Sequence, residues 1–195
     1  MKILGLVGSM RKEGNTNRIV QAIFDGAKQV DGSVETETLQ LSELKIGPCR
    51  ACYDVCANEP YLCVHKDDLQ VALEKMKEAD AIVLGSALYF NVPSRLLALI
   101  ERLSCVAHLG QYKGHNEHPL ADKPCCLVAV SYCTPPNAIF ATLQQFTLEM
   151  RMRPVLLKSQ PFYGVAGTDK MEKDEFLKPL ESAKEMGRLL VQSCG

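Results

Sequence analysis

The chain has 195 residues, a formal net charge of -1 and a sequence pI near 6.4. That length sustains one domain with a proper core, and a balanced charge without like-charge blocks argues against nucleic acid and acidic membranes and for small-molecule partners. Nine cysteines, with an N-terminal apolar run too short for a signal peptide or membrane span, imply a cytoplasmic protein whose thiols serve metal or redox work.

The first unit runs from Lys2 to Val30. Ile3-Leu4-Gly5-Leu6-Val7 reads as a buried parallel strand, and Ile19, Ala22, Ile23 and Ala27 recur at helical spacing. The loop between them, Gly8 to Thr16, holds two glycines, the hydroxyls of Ser9 and Thr16, and the fork of Arg11. Asn15 or Thr16 is placed to cap the helix. Free N–H groups at a helix start, with hydroxyls and a guanidinium, make a phosphate site. The spacing selects which phosphate. Five residues separate Gly8 from Gly14, and Asn15 stands where a P-loop has its lysine, so a nucleoside triphosphate does not fit. The dinucleotide fingerprint is incomplete, which leaves a mononucleotide, a lone phosphate, or an ordinary strand-to-helix turn.

Val34 to Leu41 alternates as a strand with one polar side, and a cysteine-bearing loop follows. Asp67-Asp68 opens a helix with Leu69, Ala72, Leu73 and Met76 on one face. Asp80 to Ser86 is a third strand, and Pro93-Ser94 starts the next helix. His108 to Lys123 is polar and irregular, so His108, His115 and His118 read as loop residues and not as metal ligands. Pro124 to Ser131 is a fourth strand, Thr134-Pro135-Pro136 an N-cap entering a helix, Pro154 to Lys158 a fifth strand and Glu172 to Val191 a closing helix. Five βα units with no repeat and no linker imply one domain over 1–195. Its form is a three-layer α/β sandwich around a five-stranded parallel sheet, in the order 2-1-3-4-5. Ligands in such sheets lie beyond the carboxyl ends of the strands at the switch point, here between strands one and three. The loop after strand three, Ala87-Leu88-Tyr89-Phe90-Asn91, would then give a flat heteroaromatic ring an aromatic wall with polar groups for orientation. Tyr89 and Phe90 as core or interface residues is the alternative.

Cys49, Cys52, Cys56 and Cys63 follow Cys-x2-Cys-x3-Cys-x6-Cys inside a cysteine-rich loop at about 47–66. Four thiolates suit a [4Fe–4S] cluster or tetrahedral zinc, and the spacing favours the cluster over a zinc ribbon. Reduced, metal-free thiols fit equally well. Cys105, Cys125, Cys126, Cys133 and Cys194 sit mostly on apolar segments and read as small core residues, with Cys133 facing the predicted site.

Three motifs carry a resemblance: Gly8 to Thr16 as Gly-Ser-x-Arg-x-x-Gly-Asn-Thr, Cys63 to Asp68 as Cys-x-x-x-Asp-Asp, and Ala79 to Tyr89 as Ala-Asp-Ala-Ile-Val-x-Gly-Ser-x-x-Tyr with Ala87 where a proline is usual. In these the chain resembles the flavodoxin-like NADPH-dependent FMN reductases, and in particular their iron–sulfur flavoprotein branch. The resemblance implies a flavodoxin-like fold, FMN as cofactor, NAD(P)H as co-substrate and a homo-oligomer. It implies that Ser9, Arg11, Gly14, Asn15 and Thr16 hold the FMN phosphate, that Ala87, Leu88, Tyr89, Phe90 and Asn91 line the ring, and that Ser131 lies in a third loop. Two departures stand out: Leu97 replaces a usual lysine, and Ser131 to Pro136 replaces a usually glycine-rich loop. No catalytic acid or base is expected, because hydride transfer to flavin requires none. Three functions remain open: an NAD(P)H-dependent oxidoreductase with a small-molecule or protein electron acceptor, an iron–sulfur and flavin electron carrier, and a metal or thiol redox sensor.

Overall fold

The computed structural model describes residues 1–59, 62–111, 114, 118–132, 134–158, 164–168 and 177–194. Its strands are β1 (Lys2–Val7), β2 (Glu35–Gln40), β3 (Ala81–Ala87), β4 (Pro124–Ser131), β5 (Arg153–Pro154) and β6 (Gly164–Thr168). Its helices are α1 (Asn15–Val30), α2 (Tyr53–Asn58), α3 (Leu69–Glu78), α4 (Ser94–Gln111), α5 (Asn137–Glu149) and α6 (Leu177–Gln192), with a 3-10 turn at Leu41–Glu43. All strand pairs are parallel and the order β2-β1-β3-β4-β5 is the expected one, with polar β2 at an edge.

The fifth strand is where expectation and structure part. Pro154 to Lys158 does not form a continuous strand. Arg153–Pro154 pairs with Pro124–Cys125, Val155 N–H donates to Cys125 O at 2.7 Å, and the chain leaves the sheet; Gly164–Thr168 then pairs with Leu127–Ser131 as β6. Proline offers the ladder no N–H, which favours the exit. Gly164 permits the return, since a Cβ there would lie 2.5 Å from Leu127 O and 2.6 Å from the Phe140 ring. The closing helix starts at Leu177, and the expected turns 172–176 lie outside the described residues.

Period-two alternation sorts the core into two layers. Ile3, Val7, Val83, Cys126 and Val128 face α1 and α6, while Leu4, Leu6, Ile82, Leu84, Cys125 and Leu127 face α3, α4 and α5. Cys125 and Cys126 are therefore core residues on opposite faces, and burial pushes the Cys125 thiol up to about 12 and Cys126 upward as well. Cys194 is exposed, contrary to its reading as core, because it lies beyond the last turn of α6. Cys133 and His115 lie outside the described residues.

On the first face α1 and α6 pack backbone to backbone. A Cβ at Gly26 would fall 2.0 Å from Lys184 O, and one at Gly187 would fall 2.0 Å from Ile23 O. Gly26→Ala or Gly187→Ala gains about 1 kcal/mol of helix propensity. Separating two backbones costs about 3 kcal/mol, so the clash wins. Either variant should lower the urea midpoint with an unchanged m-value. A midpoint at or above that of the parent protein would mean the helices do not pack this way.

Candidate functional site

The sheet order brings the loops after β1, β3 and β4 to one end. Gly8 N–H donates to Gly85 O of β3 at 2.7 Å and Leu88 N–H to Val130 O of β4 at 2.7 Å, so the loops after β1 and β3 are each tied to the neighbouring strand. The switch point between β1 and β3 is thus a tied junction.

The first loop enters α1 without the usual cap. Gly14 is the N-cap, not Asn15 or Thr16, which are the first helical residues. It has no side chain to reach back, and the first turn of α1 holds no acidic residue. Its N–H groups therefore point at the loop with no side-chain cap and no anion competing for the positive end of the helix dipole. Ser9 and Thr16 are buried at 2 % and 1 % exposure, and the Ser9 hydroxyl accepts the Arg11 N–H at 3.2 Å. Arg11 is exposed. A Cβ at Gly14 would stand 3.3 Å from Arg11 Cβ and 3.6 Å from Ser9 Oγ, so a side chain there would fill the turn. This cradle fits a phosphate.

Gln40, missed by the sequence reading, is the brace beneath it. At the end of β2 and buried, its amide donates to Ser9 O and its carbonyl accepts from Asn17 Nδ2 at 2.8 Å; Asn17 also donates to Lys12 O at 2.6 Å. The available signal was an amide at a strand's carboxyl end beside the switch point.

The loop after β3 makes a tight turn in which Tyr89 N–H donates to Asn91 O at 2.9 Å. Asn91 Oδ1 accepts from Val92 N at 2.9 Å and from Thr142 Oγ1 at 3.2 Å, fixing the amide against α5. Ala87, Leu88 and Asn91 are half-buried, whereas Tyr89 is 57 % exposed and Phe90 fully so. The two rings are not core. Ser131 is buried at the end of β4, and Tyr132 beside it is exposed. Thr134 does not cap α5, whose N-cap is Pro136.

The cysteine loop is held from below by Arg102 on α4. Its guanidinium is 1 % exposed and donates to Asp67 Oδ2 at 2.5 Å, to Gly47 O at 3.2 Å and to Cys63 Sγ at 3.2 Å. Asp67 thus belongs to this clamp; it and Asp68 precede α3 instead of lying in its first turn. Burial alone would raise the Asp67 carboxyl, but Arg102 and the N–H groups of Gly47 and Leu69 hold it below the usual carboxylate range. Cys56 is buried on the short helix α2, its thiol pushed up by burial and then by Cys52, Cys63 and Cys49 nearby. Four thiols have the soft-donor chemistry of a cluster or zinc site. Among the described residues no three His, Cys, Asp or Glu stand grouped as metal ligands. Cys49 turns instead toward Cys105 of α4, with the sulfurs 3.9 Å apart. Cys105, read as core, is half-buried there, and burial followed by the Cys49 contact pushes its thiol up to about 12.

Among the described residues no helix is long and apolar enough to cross a membrane. An iron-sulfur flavoprotein of Archaeoglobus fulgidus is 31% identical over 205 aligned positions, covering 98% of this chain and 94% of that protein. Another, from Methanocaldococcus jannaschii, is 39% identical over 103 residues, and that match spans 52% of this chain and about half, 51%, of the relative. Among solved structures a flavone reductase superposes with a TM-score of 0.69 at 17% identity, over 100% of this chain and 63% of that one, a likeness of fold. The profile of the NADPH-dependent FMN reductases matches residues 1–159, and the chain belongs to that family.

Proposed function

We propose that this chain binds FMN at the tied β1–β3 junction and transfers electrons from NAD(P)H to an acceptor. The observation that carries the reading is the uncapped, acid-free start of α1 facing the buried hydroxyls of Ser9 and Thr16. It is a polar turn with two buried hydroxyls, beside the loop that carries two exposed aromatic rings.

When bound, FMN supplies the hydride chemistry. The chain's part is to hold and orient. Arg11 and the N–H groups of Asn15 and Thr16 would neutralise the phosphate, with the Ser9 and Thr16 hydroxyls completing its shell and Gly14, whose N–H donates to Arg11 O, shaping the turn. Asn91, fixed by Thr142, would keep the β3 loop in register so that Tyr89 and Phe90 flank the ring and limit water. Ser131 would border the same end of the sheet. No side chain needs to move a proton for the hydride step. A second copy of the chain covering Phe90 is the homo-oligomer we assign, since a fully exposed ring beside a site gains from burial.

The test is anaerobic. Full-length protein reconstituted with FMN should keep the flavin through gel filtration, and NADPH or NADH should bleach its absorbance. Flavin retained but bleached only by a protein reductant would favour an electron carrier, and protein that retains none would end the flavin reading. A [4Fe–4S] cluster on Cys49, Cys52, Cys56 and Cys63 is a second reading, favoured by the four thiols on one loop. Iron and acid-labile sulfide in the same sample decide it.

A further inference from the structure

We infer that Cys49 and Cys105 form a reversible disulfide that ties the cysteine-rich loop to α4 and withdraws Cys49 from the four-thiol set. The pair joins residues far apart in sequence, yet the two sulfurs lie 3.9 Å apart with no side chain between them and the bond. A rotamer adjustment closes the gap to the 2.05 Å or so of a disulfide. Of the other loop thiols, Cys63 Sγ accepts from Arg102 and Cys56 is buried on α2. Ala51, between Cys49 and Cys52, makes a left-handed turn with a φ of 54°, and its N–H donates to Cys49 Sγ at 3.4 Å.

The pair is also reachable. A surface cavity of about 270 Å³ is lined by Tyr53, Ser104, Cys105, His108, Leu109 and Glu149, and it admits a small oxidant to the Cys105 side. The oxidant is hydrogen peroxide. One thiolate attacks a peroxide oxygen, the O–O bond breaks, and a sulfenic acid forms as the leaving hydroxide takes a proton and departs as water; the second thiol attacks that sulfur, the S–S bond forms and a second water leaves. Two electrons pass from the thiol pair to the peroxide. A dithiol returns both cysteines to the reduced state.

The sequence makes the product easy to read. Arg50 separates Cys49 from Cys52, and Arg102 and Lys113 bound a peptide whose one cysteine is Cys105. Iron-free full-length protein is treated with one equivalent of hydrogen peroxide, quenched in acid, alkylated, and digested with trypsin without reductant. The expected result is a fall of about two in free thiols and a Cys49–Cys105 peptide in about tenfold excess over any other pair. Cys105→Ser should leave a sulfenic acid on Cys49 that dimedone traps, and Cys49→Ser should abolish the cross-link while far-ultraviolet dichroism is unchanged. A dominant linkage within the loop, such as Cys52 to Cys63, or an unchanged thiol count, would overturn the inference. Flavin content is read separately in each sample, so a failure here leaves the flavin assignment untouched and a failure there leaves this one.

Discussion

Arg102→Leu should be the most damaging single change outside the flavin loop, lowering stability by about 3–5 kcal/mol. The figure is that of a buried pair broken on one side, which strands the other charge. Here Arg102 is 1 % exposed and the Asp67 side chain 17 % exposed, so little solvent is present to screen the loss. For a chain of this length each kcal/mol corresponds to roughly 2–4 °C, so the melting temperature should fall by on the order of 10 °C. Two further contacts go with the guanidinium, the bonds to Gly47 O and to Cys63 Sγ, and the cysteine loop should become the first segment to exchange its amides.

The pH dependence gives the clamp a signature. The folded carboxyl of Asp67 lies below its ordinary value, so its contribution is fully present above the unfolded value of about 4 and is lost as pH falls through the folded one. Parent and variant stabilities should therefore converge in acid, below about pH 4, and diverge above it. Asp67→Asn combined with Arg102→Leu removes both charges and keeps an acceptor for one of the two N–H groups, Gly47 or Leu69, so it should recover part of the loss. A single variant within about 1 kcal/mol of the parent at neutral pH would show that the pair is a surface-like contact.

Arg102 also marks the limit of what the residues disclose by pattern. Strand order, the buried runs of β1, β3 and β4 and the position of the switch point followed from alternating apolar segments, because a parallel sheet covered on both faces writes itself as uninterrupted hydrophobicity. The turn proposed to take a phosphate could be singled out for a similar reason: its polar groups are local, packed between Gly8 and Thr16. Partners distant in sequence were not legible. Arg102 drew no reading of its own, and Asp67 read as a helix-start acid, while their pairing depends on how α4 meets the cysteine loop. Gln40 under Ser9 and Cys105 against Cys49 escaped on the same ground. β6 was hidden differently. Gly164-Val165-Ala166-Gly167-Thr168 is small and glycine-bearing, a composition that reads as loop, yet its strand is dictated by the open edge of β4 and by the lack of room for a side chain at Gly164.

Arg11→Ala combined with Thr16→Ala should weaken FMN binding by about 10²–10⁴-fold. Hydrogen bonds to a charged group are worth about 1.5–3 kcal/mol each, and each 1.4 kcal/mol is tenfold in affinity. The exposed Arg11 can be truncated with little risk to the fold. Thr16 is buried, so Thr16→Ser serves as the control that keeps the hydroxyl and removes only the methyl. The discriminating measurement compares FMN with riboflavin, which carries the same ring and no phosphate. The parent protein should prefer FMN strongly, and the double variant should lose that preference while its riboflavin affinity stays within about twofold. A variant that weakens both ligands alike would place the two residues in the fold's support and not at the phosphate. One that weakens neither would move the phosphate away from the start of α1 altogether, with the uncapped start of α5 beside the buried Ser131 as the next position to test.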